Sequence, residues 1–328
     1  MLKQTITILE CSRIFSLPMT ILSWLIVFTY AVIDSGNILY GLIALIGLCL
    51  AHLGSNLIDD FFDYKFLIKQ VDFDKAEYLK NSQKTKCRYL INGIISEKQL
   101  LTYICIYFSL AALCGLFLYI KCGVGVAYFA FIGALIGLIY PIASRFYLSE
   151  VLIALAFGPA LFGGVYYVMT GTYSNDVFML TIPSMLMTVV LLYIHSVMDF
   201  DFDTNEGKRT VANSFNSQLD SLVVLKYLLI VAYLSIFLIC IFDIADWQVF
   251  GTYITIPLAI DLYKSMELFS TNPEEVPQRR WYHFPMEGLD AFAKRGEASF
   301  MMRMLQARNL MIYFSLFFIV GLIISLGV

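Results

Sequence analysis

Apolar residues along this chain come in long unbroken runs rather than at the spacing of an amphipathic face, and nine of the runs are long enough for a membrane-spanning helix. A hydrocarbon core about 30 Å thick needs roughly 20 helical residues to cross it. The runs lie near 17 to 35, 38 to 58, 99 to 120, 123 to 142, 149 to 170, 177 to 198, 219 to 241, 247 to 267 and 308 to 327. They predict an all-α polytopic membrane protein, a single transmembrane domain over residues 1 to 328. The first run is followed by no convincing small-residue cleavage site, so it is expected to stay as a span.

The connections alternate between short ones and long charged ones, which predicts an orientation. Lys3, Arg13, the 59 to 98 stretch with its eight Lys or Arg, Arg145, Lys208, Arg209, Lys264 and the 268 to 307 stretch all fall on one side. That side is predicted to be cytoplasmic, with the N-terminus on it and, after nine crossings, Val328 outside. Lys121 lies opposite, and Lys226 sits within the seventh run, where it can snorkel or face the bundle.

Composition removes the main competitor, a soluble helical domain. Hydrophobic residues make up 59% of the chain and charged ones 14%, with a mean hydropathy of +0.76, more apolar than a water-soluble domain sustains. A net charge of −3 gives no basis for a nucleic-acid partner. The seven cysteines occur singly, without CxxC pairs or histidines at ligand spacing, so neither a zinc site nor a disulfide framework is expected.

Two acidic motifs carry the candidate chemistry. The second run ends in Asn56, Asp60 and Asp63, spaced by four and three, and the sixth ends in His195, Asp199 and Asp203, spaced by four and four. Each set shares one helical face, whereas Asp59 and Asp201 point off it. A carboxylate near the membrane centre costs on the order of 3 kcal/mol, so a matched pair of such motifs calls for a positive partner. Clustered carboxylates suit a hard cation such as Mg2+, which characteristically bridges a few carboxylates to phosphate oxygens. Arg88, Lys208 and Arg209 follow the motifs and are candidate phosphate contacts, although positive-inside topology accounts for them equally well. The plain alternative for the acids is that they are turn residues just outside the membrane.

The stretch Asn56-x-x-x-Asp60-x-x-Asp63-Tyr64-Lys65 resembles the first aspartate-rich motif of the UbiA superfamily of intramembrane prenyltransferases. Asp199-x-x-x-Asp203 followed by Gly207-Lys208-Arg209-Thr210 resembles the second. Arg13 with Ser16-Leu17-Pro18-Met19-Thr20 and Cys87-Arg88-Tyr89-Leu90-Ile91-Asn92-Gly93 are similar to the segments before the family's first and third spans. Leu148-Ser149-Glu150, Phe157-Gly158-Pro159 and Tyr166-Tyr167-Val168-Met169-Thr170-Gly171 look closest to the menaquinone branch, MenA, the 1,4-dihydroxy-2-naphthoate polyprenyltransferases. The chain departs from the pattern at His195, where the family usually has Asn, and at Met198, where that branch usually has Arg.

The resemblance implies nine helices around a central cavity under a cytoplasmic cap, built here from the loops 59 to 98, 199 to 218 and 268 to 307. It implies two Mg2+ ions held by Asp60, Asp63, Asp199 and Asp203, and a polyprenyl diphosphate contacted by Asn56, Arg88, His195, Lys208 and Arg209. The lipid bilayer is the solvent, and the acceptor is aromatic. Tyr140, Tyr166 and Tyr167 are candidates for lining the prenyl or acceptor pocket by cation-π contact, against plain aromatic packing. Prenyltransferases acting on 4-hydroxybenzoate, haem, chlorophyllide or glyceryl-phosphate lipids share such motifs. A cation-coupled transporter, which also places carboxylates on repeated spans, and an inactive scaffold are the readings from other classes.

Overall fold

The computed structural model describes residues 8–70, 75, 87–143, 145–205, 207–325 and 327, and every regular element among them is helical. Lys3, most of the lysine-bearing stretch from 71 to 86, Glu206 and Val328 lie outside the described residues. The helices are α1 (Leu17–Ile33), α2 (Ile38–Leu67), the short α3 (Arg88–Ile91), α4 (Glu97–Cys122) and α5 (Gly125–Ala143). Then come α6 (Ser149–Leu155), a π turn (Ala156–Ala160), α7 (Leu161–Thr170), α8 (Asn175–Met198), the short α9 (Phe200–Asn205) and α10 (Gln218–Ile241). The chain finishes with a 3-10 segment (Trp247–Thr255), α11 (Ile256–Thr271), the short α12 (Leu289–Ala293) and α13 (Ala298–Ser325).

Local sequence sets several helix starts. Asn37 accepts from the Tyr40 N–H at the start of α2, Ser96 and Gln99 form a capping box on α4, and Ser174 and Ser217 cap α8 and α10. The spans differ in how far they are enclosed: 61% of the apolar window of α8 is buried but only 11% of that of α4, so α8 is the central post and α4 faces lipid. Tyr193, Phe162, Phe314 and Phe318 fill the core around α8.

Among the described residues, eight helices are long and apolar enough to cross a membrane, against the nine expected. The difference lies in the run near 247 to 267, which is divided into a 3-10 segment and α11. Pro257 accounts for the break. It has no N–H to give the Tyr253 carbonyl, which instead takes the Ile256 N–H in a tighter turn. With 16 residues, α11 alone is about 24 Å long, and the 3-10 segment carries the run on, so that Asp246 meets Ser325 at one end of α13 while Ser265 meets Arg303 near the other.

Two boundaries also move. The second helix does not stop at 58 but runs to Leu67, and the last begins at Ala298 rather than 308. Hydropathy falls where charged side chains begin, whereas backbone hydrogen bonding continues as long as no residue breaks it. The expected loops 59 to 98 and 268 to 307 are therefore helical at their edges.

The late segment is strapped to α13 by its polar side chains. Arg303, fully buried, donates to the carbonyls of Ser265, Ser299 and Glu275, and Asn309 donates to those of His283 and Pro285. Asp261 of α11 receives Tyr282 Oη at 2.6 Å and lies 3.0 Å from His283 Nε2 and 3.2 Å from Arg280 Nε. Phe300, in the first turn of α13, then packs edge-on against His195.

Candidate active site

The uninterrupted α2 helix determines where the first motif sits. Asn56, Asp60 and Asp63 project from its final turns, still inside hydrogen-bonded helix, so they are not loop residues beyond its end. Asp60 is almost wholly buried and Asp59 nearly so. Their partner is Arg13, whose guanidinium forms an ion pair with Asp60 and lies 3.6 Å from Asp59. Burial opposes the Arg13 charge, but Asp60 and Asp59 outweigh it and hold the guanidinium above its ordinary pKa. Arg13 therefore stays a fixed cation.

The second motif straddles a helix end. Asp199 terminates α8, with its N–H still bonded to the His195 carbonyl at 2.9 Å, and Asp203 follows on α9, its N–H bonded to the Asp199 carbonyl at 2.7 Å. The helical spacing therefore continues through the junction. His195 Nδ1 lies 3.1 Å from an Asp199 oxygen, Asp203 is buried, and Asp201 is exposed.

Lys208 brings the two motifs together. Lys208, five residues past Asp203, reaches across 145 positions of sequence to place Nζ 3.3 Å from Asp63 Oδ2. Both side chains are largely enclosed, at 9% and 15% exposure, so the pair is not a solvated surface contact. The turn that delivers Lys208 is fixed by its own backbone: the Lys208 N–H bonds the Asp203 carbonyl, and Asn213 holds the Lys208 carbonyl at 2.9 Å. Its neighbour Arg209 points away and is exposed, its carbonyl taking the Tyr147 N–H at 2.8 Å.

The remaining candidates separate. Arg88 opens α3 beside Cys87, whose thiol donates to the Asp60 carbonyl at 3.2 Å, so the short helix lies against the first motif. Tyr140, near the end of α5, is close enough to Arg13 to act on its charge. Tyr166 and Tyr167 sit at the other end of the bundle: Tyr166 donates to Asp34 at 2.6 Å and Tyr167 to the Cys122 carbonyl at 3.1 Å. From there the second motif is the length of α8 away, about 36 Å for its 24 residues. The pocket expected to join these three tyrosines is thus divided between two ends. A cavity at that far end is lined by Phe129, Pro159, Tyr166, Tyr173, Val177 and Phe178, and none of the motif residues borders it.

Asn56 is committed differently from expectation. Its two amide protons go to the Ser12 carbonyl at 2.9 Å and to Ser16 Oγ at 3.2 Å, which leaves only the carbonyl oxygen for another partner. An acceptor suits a cation better than a phosphate oxygen.

Several residues were not singled out from sequence. Arg13 and Tyr89 belong to segments that resemble the family's, but the sequence gives neither of them a role at the site. Burial and the nearby Asp60 carboxylate push the Tyr89 hydroxyl above its ordinary pKa, so it remains protonated beside the acids. Glu150 is buried at the start of α6, accepting from Ser149 Oγ at 2.8 Å and Ser196 Oγ at 3.3 Å, next to the second motif. His52 lies one turn before Asn56 on the same face; extending the i, i+4 spacing upstream would have found it.

The donors present are the kind Mg2+ takes: carboxylates on both motifs and the free Asn56 oxygen. Among the described residues, no three His, Cys, Asp or Glu side chains converge on a common metal position.

The model of the UbiA prenyltransferase family matches residues 16–287. No curated protein matches the chain. A structure of a digeranylgeranylglyceryl phosphate synthase superposes with a TM-score of 0.60 at 20% identity, covering 98% of this chain and 99% of that one. A UbiA homolog from Archaeoglobus fulgidus, bound to GPP and Mg2+, gives a TM-score of 0.57 at 13% identity over 92% of this chain and 99% of its own. The apo UbiA homolog from Aeropyrum pernix K1 gives 0.54 at 14% identity, covering 90% and 96%. At these identities the superpositions speak for the fold, and the family model speaks for descent. An apolar helical bundle with two aspartate motifs joined through Lys208, matched by that model over most of its length, belongs to the UbiA prenyltransferase family.

Proposed function

We propose that this protein transfers a polyprenyl group from an isoprenoid diphosphate to an aromatic acceptor, with the motif-bearing end of the bundle on the cytoplasmic side and the C-terminus outside. The observation that carries the reading is the Lys208–Asp63 contact, because it puts the second motif's loop against the first motif's carboxylates. Resemblance to the menaquinone branch supports 1,4-dihydroxy-2-naphthoate as the acceptor. The UbiA homologs solved with GPP or DMAPP and Mg2+ support the donor and the metal.

Asp60, Asp63, Asp199 and Asp203, with the Asn56 oxygen, would hold two Mg2+ ions. When bound, Mg2+ supplies positive charge that neutralises the diphosphate and stabilises it as a leaving group. Arg13, partly buried beside Asp59 and Asp60, and Lys208, enclosed beside Asp63, are placed to face incoming phosphate oxygens, with Arg88 close by and Arg209 at the exposed rim. Their charge is preorganised, so little reorganisation is required as negative charge grows on the leaving group. His195, held by Asp199 and covered by Phe300, closes one side of the second motif. The apolar spans keep water from the allylic cation until the electron-rich acceptor carbon captures it. For dihydroxynaphthoate, the resemblance implies that loss of the carboxylate completes the product.

Incubating purified protein with polyprenyl diphosphates, Mg2+ and a panel of acceptors, followed by mass analysis, tests the proposal. The panel includes dihydroxynaphthoate, 4-hydroxybenzoate and a glyceryl-phosphate lipid. Prenylated dihydroxynaphthoate is the expected product. A product on another acceptor would reassign the acceptor, and solute uptake into vesicles without any prenyl transfer would overturn the reaction class.

A further inference from the structure

Arg13 stands in the left-handed region, with φ 58 and ψ 51, which a side chain with a Cβ rarely adopts. Such a conformation persists only where its surroundings over-determine it. Here the surroundings are a chain of polar side chains between α1 and α2. Ser16 Oγ donates its one proton to the Arg13 carbonyl at 2.8 Å. Its contacts with His52 Nε2 at 3.0 Å and Asn56 Nδ2 at 3.2 Å must therefore be ones in which Ser16 accepts.

Counting protons in this way fixes the imidazole. His52 carries its hydrogen on Nε2, and Nδ1 accepts from the Thr20 hydroxyl. The edge-on packing of the ring with Phe157, at 5.5 Å in the π turn, restricts its rotation. His52 and Asn56, one turn apart on α2, thus grip the turn from Ser12 to Ser16 from below, and Arg13 lies within it. An imidazole within a membrane span is costly unless its nitrogens are satisfied, and both are satisfied by this turn and α1.

We propose that His52 is a positioning residue for the diphosphate site: through Ser16 it holds Arg13 in its left-handed conformation, and so keeps the guanidinium over Asp59 and Asp60. His52 itself touches neither metal nor phosphate in this scheme. The inference rests on the diphosphate reading given above.

Calorimetric titration with geranyl diphosphate and Mg2+ tests it, with Mg2+ alone as the blank. Arg13→Ala is expected to weaken binding by about 30-fold and His52→Ala by about tenfold, the range for losing or misplacing a charge-assisted contact. The double variant should bind within about twofold of Arg13→Ala, because His52 has nothing left to position. His52→Gln, whose amide can donate to Ser16 and accept from Thr20, should recover to within about threefold of wild type. Ser16→Ala should reproduce the His52→Ala result and its dependence on Arg13, and it serves if His52→Ala fails to fold. Equal losses from His52→Ala and Ser16→Ala with and without Arg13 would overturn the proposal, as would unchanged affinity in both single variants. If wild type takes up no geranyl diphosphate with Mg2+, the diphosphate reading itself falls, and the positioning role falls with it.

Discussion

Breaking the contact between Lys208 and Asp63 should cost more than either residue's own contribution to stability, because each side chain is enclosed and faces the other. At the 3.3 Å separation, the attraction at an effective dielectric of 20 is about 5 kcal/mol. Desolvation of both groups takes back much of it. A net coupling of about 1–3 kcal/mol remains, the range found for residues in direct contact. Lys208→Met leaves an enclosed carboxylate without this cation, and Asp63→Asn leaves an enclosed ammonium without this carboxylate; each is expected to lower the thermal midpoint in detergent. The double variant should lose clearly less than the sum of the two, since it strands no charge. Thermal unfolding of all four proteins, without added diphosphate, measures the coupling. Strictly additive losses would mean that the two motifs do not meet through this pair, and the case for a shared site would lose its main support.

Asp60→Asn and Asp199→Asn should each reduce prenyl transfer by at least about a thousandfold while the protein still inserts and purifies, and undiminished Mg2+-dependent transfer by both would refute their assignment. Chelation with EDTA should abolish the thermal stabilisation given by geranyl diphosphate, and added Mg2+ should restore it; stabilisation unaffected by chelation would argue against a metal-bridged diphosphate. Gly125→Ala should destabilise by about 1–3 kcal/mol, because the new Cβ would collide with the Tyr167 ring, and the loss should shrink in a Tyr167→Ala background when both are compared by thermal unfolding.

Much of this protein is legible in its residues because lipid imposes a simple rule: a helix long and oily enough to cross must do so. Eight of the spans stand as single long helices, as hydropathy alone predicts, and the ninth run is divided because one proline changes backbone bonding without changing hydropathy. The helices α2 and α13 extend past their apolar runs for the converse reason, since charge ends an apolar run but not a helix. The motif carboxylates were found because i, i+4 spacing is local. Tyr166 and Tyr167 were grouped with Tyr140 from their chemistry, and only their depth in the bundle separates them.

The membrane setting, the helical class and two acidic faces on separate helices can be read from the residues alone, because each depends on composition or on neighbours within one turn. Which charges meet depends on the closed bundle: Arg13 with Asp59 and Asp60, Lys208 with Asp63, and His52 beneath the turn that carries Arg13. Ion pairing falls off over a few ångströms, and partners 46, 47 or 145 positions apart acquire such distances only when the bundle closes.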